Sequence, residues 1–388
     1  MSIIPADNHM AVMAALFVIA GIGFLGEKTR IGSHLTGAVI AILGAILAAN
    51  LKIIPHAAPA YSFVFSYIVP ALIPMFLFQA DLRKILFETT RTTGAFLLAT
   101  VGTVAGVTLA ALLLDLGGLG AAAGLTPEQQ EPAIVGLFAS TYIGGSVNYA
   151  ALGEITGLQR DASFFSAATA TDNLFSALYL GLLAMLPAWK WLSSRYVEHD
   201  HSMPAEADAK KSTISAMSLT LAIAVALTIV AVSDLLVGMF GLKDWRYVII
   251  TAITLVLATA IPGLDKKLAG SFELGVGLSF VFFAAIAAGA DVVAMVSVAP
   301  MLTVLVGILL SVHLTVLLLL GRLFRLSLPE LITASNAAIL GATTAPALAA
   351  TKGWKNLVTP GVLVGVLGYA LGTFIGTLLY KYGGVLFN

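Results

Sequence analysis

Residues 132–158 read PAIVGLFASTYIGGSVNYAALGEITGL, and the fold turns on how this stretch is read. It is largely apolar, yet Gly144 and Gly145 stand at its centre, followed by Ser146 and Asn148. Central glycines weaken a helix and permit a tight reversal. Each flanking arm is about 12 residues, or ~18 Å of helix, which reaches about halfway across a ~30 Å hydrocarbon layer. Residues 329–353 repeat the plan. They open on Pro329 as the first stretch opens on Pro132, and carry Gly341, Thr343 and Thr344 at the centre, with Ser335 and Asn336 on the arm before it. Both stretches are read as re-entrant helical hairpins. Their polar tips are the expected substrate contacts: Gly144, Gly145, Ser146 and Asn148 from one, Gly341, Thr343, Thr344 and Asn336 from the other. The competing reading is that the glycines serve close helix packing and that the Ser, Thr and Asn residues cap helix ends.

Around these stretches the chain is hydrophobic. Of 388 residues, 59% are hydrophobic and 10% charged, against roughly 45–50% and about 25% in soluble domains. So much apolar surface needs lipid as its solvent, and backbone in lipid must satisfy its own hydrogen bonds. Ten further apolar segments lie near residues 9–25, 33–50, 61–80, 93–115, 163–187, 214–238, 246–262, 272–290, 298–320 and 356–380. Their length suits helices rather than barrel strands, so the expected fold is an all-α polytopic membrane protein. A formal net charge of zero gives no reason to expect a nucleic-acid partner. With no Cys there is neither disulfide nor thiol chemistry. No Lys or Arg precedes the first apolar run, which is therefore read as a retained span and not a signal peptide.

Residues 193–212 form the one long polar stretch and read as a solvated, cytoplasmic linker between residues 1–192 and 213–388. The two parts resemble each other. At an offset of 197, Pro132 falls on Pro329, Gly144 on Gly341, Ser146 on Thr343 and Ala150 on Ala347; Asp81 and Asp291 end a further matched pair of segments. Positive charge then decides topology, because short cytoplasmic loops are enriched in Lys and Arg. If all twelve segments cross, the 20 basic residues divide evenly between the two sides. If the two hairpins do not cross and the N-terminus lies outside, only Lys52, Arg160, Lys243, Arg246 and Lys381 remain outside and the other fifteen lie inside. Five crossings per part make the second an inverted copy of the first. Inverted repeats with interrupted helices at matching positions point to a secondary transporter whose site lies between the interruptions.

Residues 168–174 read ATATDNL and put Asp172 about ten residues inside an apolar segment. A carboxylate at that depth is expensive and marks a functional site. Asp172, Asn173, Thr169 and Thr171 are the expected ion-coupling residues, offering oxygen ligands to Na⁺ or, at Asp172, a proton carrier. The alternative is an Asp held by hydroxyls for structure alone. Asp81 is read as a surface charge at a helix end and His313 as a hydrogen-bonded packing residue. His199 and His201 lie in the linker, where a metal is the weaker reading and no metal site is expected. HExxH, GxSxG and P-loop motifs are absent from the sequence, so no enzyme activity, cofactor or ATP-driven step is expected.

Residues 141–152 (TYIGGSVNYAAL), 168–180 (ATATDNLFSALYL) and 76–84 (FLFQADLRK) resemble the YjcL-like family of uncharacterised membrane proteins. That family is grouped with the cation:proton antiporter and anion transporter superfamily, alongside sodium:glutamate, sodium:citrate and bile-acid symporters. The resemblance implies an elevator mechanism, Na⁺ or H⁺ coupling and a homodimer in the inner membrane. Asp172-Asn173 resembles the acidic pair of the antiporter branch, with one member acidic here. Three functions are therefore carried forward: an ion-coupled carrier of a small organic anion or amino-acid-like compound, a cation:proton antiporter without organic substrate, and a non-transporting membrane enzyme or scaffold.

Overall fold

The computed structural model describes residues 2–29, 37–201, 213–242, 245–290 and 292–383. Asp291, Arg30, Lys210, Lys211 and Lys243 lie outside the described residues. In chain order the helices are α1 (His9–Glu27), α2 (Gly37–Asn50), α3 (Pro59–Phe63), α4 (Val69–Leu77), α5 (Leu82–Glu88), α6 (Thr90–Leu113), α7 (Pro127–Gly144), α8 (Ser146–Thr156), α9 (Ala162–Met185), α10 (Lys190–Ser193), α11 (Ala216–Phe240), α12 (Arg246–Ala260), α13 (Leu264–Lys267), α14 (Ser271–Ala287), α15 (Val292–Leu323), α16 (Leu328–Ile339), α17 (Thr344–Thr351) and α18 (Val358–Tyr382). A π-turn over Val64–Ile68 joins α3 to α4.

Among the described residues, seven helical stretches are long and apolar enough to cross a membrane. Three shorter apolar helices, α2, α12 and α14, complete the set. Their outward faces carry bare apolar side chains such as Phe17, Leu47, Leu235, Phe240, Val256 and Leu319. A soluble protein does not expose apolar surface on this scale, whereas lipid accepts it. Asp81 is the N-cap of α5, its carboxylate accepting from the Arg83 amide at 3.0 Å.

The helices fall into two groups by packing. One holds α1, α2, α3, α4, α11, α12 and α14, with α1 and α2 against α14 and with α11 and α12 against α4. The other holds α6, α7, α8, α9 and α15–α18. Within it, α6 runs along α15 and α7 runs along α18. Small residues allow these close approaches. A Cβ on Gly102 would sit 2.8 Å from the His313 carbonyl, and one on Gly106 2.5 Å from the Leu309 carbonyl. The spacing of four puts both glycines on one face of α6.

Both glycine-centred stretches double back. Gly136 on α7 and Leu152 on α8, sixteen residues apart, both pack on Gly376 of α18, at 2.7 and 3.1 Å from where its Cβ would be. In the second stretch Thr333 on α16 and Pro346 on α17 both pack on Gly361, at 3.1 and 3.3 Å on the same measure. The first tip, Ile143 and Gly144, rests on Gly368, and the second tip, at Ala342, rests on Gly365. The hairpins thus approach α18 from opposite ends, and their tips meet it one turn apart.

The linker differs from its sequence reading at one end. Polar composition predicts solvation through residues 193–212, but His201 is buried. Its ring nitrogens lie 2.9 Å from Asn356 Oδ1 and 2.9 Å from Ser327 Oγ, and these bonds replace the water it leaves.

Candidate functional site

The tips and the second group of helices meet the first group across a cavity of about 310 Å³. Its size suits a small solute. From the first hairpin come Gly145, Ser146, Val147 and Tyr149; from the second come Gly341, Thr343 and Thr344. The opposite wall is Phe76 of α4 with Phe272, Ser279, Phe280 and Phe283 of α14, and Glu27 at the end of α1.

The tips need glycine for backbone reasons. Gly145 sits at φ 75° between the last residue of α7 and the first of α8, and Gly341 sits at φ 96°. Only glycine enters that region without strain. Each tip then presents one open residue among buried neighbours: Ser146 in the first and Thr343 in the second are exposed to the cavity. These two are partners at the offset of 197. Neither α8 nor α17 has a side-chain N-cap; of the first-turn amides, those of Asn148 and Ala345 donate to the Gly145 and Gly341 carbonyls, and Pro346 has none.

Helix α9 supplies the fourth wall. Thr169, Asp172, Asn173 and Ser176 line the cavity, the i, i+3, i+4, i+7 pattern of one helix face. Thr171 stands about 200° around the helix from Thr169, and it is buried away from the cavity. Asn173 Nδ2 donates to the Thr169 carbonyl at 2.8 Å. Asp172 Oδ1 is buried with no hydrogen-bond partner among the described residues. The hydroxyls of Thr141 and Tyr142 face this carboxylate from the first hairpin, but neither reaches bonding geometry on Oδ1. An orphaned carboxylate oxygen costs several kcal/mol in an apolar interior, on the order of a lost charged hydrogen bond or more. A cation or a proton is the chemistry that offsets it.

The remaining expected residues lie behind the cavity. Gly144 is packed so tightly that a Cβ would overlap Asn148 Nδ2 and the Gly368 carbonyl. Asn148 is fully buried; its Nδ2 donates to the Gly368 carbonyl at 3.1 Å, and its Oδ1 accepts from Thr373 Oγ1 at 2.6 Å. It fastens the first hairpin to α18. Asn336 is likewise buried and accepts from Thr344 Oγ1 at 2.7 Å, tying the two arms of the second hairpin. Tyr369 was not foreseen. It projects from α18 between the tips, its ring 3.9 Å from where a Gly145 Cβ would lie and its hydroxyl 3.6 Å from the same point on Gly341. Phe76 lies against it at a centroid distance of 5.4 Å. Glu27, Tyr369 and the α14 aromatics come from distant segments, and no local motif marks them. Ser176 could have been found by extending the α9 face one turn.

His313 joins both hairpins in a directed chain. Thr103 Oγ1 spends its proton on the Tyr142 carbonyl (3.2 Å), so it accepts from His313 Nδ1 at 2.8 Å. His313 Nε2 is then the bare nitrogen and accepts from Ser335 Oγ at 2.9 Å, which accepts in turn from Tyr179 at 2.8 Å. The chain ties the first hairpin at Tyr142 and the second at Ser335 to α6, α9 and α15.

A family described as Protein of unknown function (DUF819) matches residues 14–382. The Uncharacterized membrane protein YjcL of Bacillus subtilis (strain 168) is 33% identical over 401 aligned residues, covering 97% of this chain and 98% of that protein. The resemblance read from residues 141–152 and 168–180 is thereby borne out. With the apolar helices described above, these matches make the chain a multi-pass membrane protein in contact with the bilayer.

Proposed function

The chain belongs to the DUF819 family, and we propose that it is an elevator-type secondary active transporter that moves a small polar solute coupled to Na⁺ or H⁺. One observation carries the reading: two hairpin tips approaching α18 from opposite ends share a single cavity with Asp172. Broken helices aimed at one midpoint are the arrangement by which transporters bind solute between inverted repeats. The packing of the first three spans in each half supports such a repeat, since α1 meets α14 as α11 meets α4. The cavity lies on the boundary between the two helix groups, where one group sliding past the other carries its contents across. On this reading ten helices cross, the hairpins re-enter from opposite sides, the N-terminus is outside, the linker is cytoplasmic and the first group forms a homodimeric scaffold.

The lining supports an amino-acid-like solute over a simple organic anion. The start of α8, at Ser146 and Val147 and without a side-chain cap, suits a carboxylate. Asp172, Glu27 and the rings of Phe76, Phe280 and Tyr369 suit an ammonium group. Among the described lining residues there is no Lys, Arg or His. The same carboxylates favour a second reading, cation:proton antiport without organic substrate.

Flux into proteoliposomes tests both. Amino-acid uptake driven by a Na⁺ or pH gradient, abolished by Asp172→Asn, is the expected outcome. Gradient-driven cation exchange with no organic flux selects the antiporter. A protein that is folded and inert under every gradient refutes transport.

A further inference from the structure

Away from the cavity, the start of the linker crosses the feet of the second hairpin. Ser327 is the N-cap of α16, and its amide donates to Glu330 Oε2 at 2.8 Å. Asn356 follows α17. His201 bridges the two feet, between Asn356 Oδ1 and Ser327 Oγ. Beside it His199 lies 3.6 Å by Nδ1 from Glu330 Oε2. Glu330 is buried, and His199 Nδ1 is buried without a hydrogen-bond partner.

We propose that His199, His201 and Glu330 form a binding site for a divalent metal ion of the zinc class, fastening the linker to the second hairpin. One ligand atom from each residue lies within 4.8 Å of the others. Two imidazoles and a carboxylate are a nitrogen–oxygen donor set suited to zinc, and the chain has no Cys to supply sulfur. The hydrogen bonds prepare His201 for the role. Asn356 Nδ2 donates to the Asp200 carbonyl at 3.1 Å, so its Oδ1 is the face turned to His201, and His201 Nδ1 must carry the proton. That leaves Nε2 bare, opposed only by a hydroxyl that can rotate. Holding the outer N–H of a ligating imidazole in this way is what partners around zinc sites do.

Arg91 is a built-in competitor. Its Nε lies 3.1 Å from Glu330 Oε1, and its terminal nitrogen lies 3.0 Å from His199 Nε2 and donates to the Arg325 carbonyl. A metal on His199 Nδ1 requires the proton on Nε2, which then faces the guanidinium donor to donor. Metal and Arg91 therefore exclude one another, and the Arg91 side chain, 53% exposed, has solvent to swing into.

Calorimetric titration of ZnCl₂ into the chelator-treated full chain in detergent, with any affinity tag removed, tests the site. One equivalent per chain is expected. His199→Gln and His201→Asn each weaken binding at least tenfold, Asn356→Ala weakens it about tenfold through His201, and Arg91→Gln tightens it. The proposal is overturned if the native chain takes up no stoichiometric zinc, or if His199→Gln, whose side chain is partly exposed and tolerant of change, binds as the native chain does.

Discussion

Gly144 and Gly181 put two identical residues in opposite circumstances. A Cβ on Gly144 overlaps Asn148 and the α18 backbone, while one on Gly181 meets nothing within 4 Å. Gly144→Ala is expected to destabilise by about 1–3 kcal/mol or more, as overpacking does. Gly181→Ala is expected to be neutral or to stabilise by up to ~1 kcal/mol through helix propensity. Thermal unfolding in detergent reads both, and equal shifts would refute the packing described for the first tip. At this scale the sequence marks Asp172 well, because a lone carboxylate in an apolar run has few structural uses. It does not separate Ser146, which faces the cavity, from Asn148 two positions on, which fastens α8 to α18. Both are polar residues at a tip, and the partner that claims Asn148, Thr373, lies 225 positions away.

In the hairpins the reversals fall at the central glycines, Gly145 and Gly341, but the arms are unequal: α7 begins at Pro127, with Pro132 inside it, and runs 18 residues, while α17 runs eight. Central glycines and a polar tip are local signals, whereas the start of the first arm is not marked by Pro132. The bed they lie on is equally local but easy to overlook: Gly361, Gly365, Gly368, Gly372 and Gly376 make one stripe on α18, which by itself reads as an ordinary packing face. The docking of His199 and His201 left no sequence signal, because a polar run looks solvated whether or not its polar groups find protein partners. The absence of native Cys makes the tips directly testable. Paired Ser146→Cys and Thr343→Cys changes are expected to be joined by a short bifunctional thiol reagent in native membranes. Unlinked thiols that each react singly would mean the tips do not share a cavity.

Across the whole molecule, distribution of charge carries the proposed topology, in which twelve apolar segments make ten crossings. Lys352 follows α17, and Lys381 ends α18. Under the proposed topology a Lys352→Cys protein is labelled by impermeant maleimide from the cytoplasmic side and Lys381→Cys from the outside. Labelling of both from one side would remove the inverted repeat. Both hairpins also bear on a single helix, so the two halves of the cavity cannot be strangers. If a ligand that strengthens the seating of one tip shifts α18 against the other, it would change the free energy with which the other tip holds its own ligand, and by linkage the reverse effect would be equal in size. On the proposed function, an ion at Asp172, which Thr141 and Tyr142 of the first hairpin face, would in this way be felt at the second tip before any movement across the membrane begins.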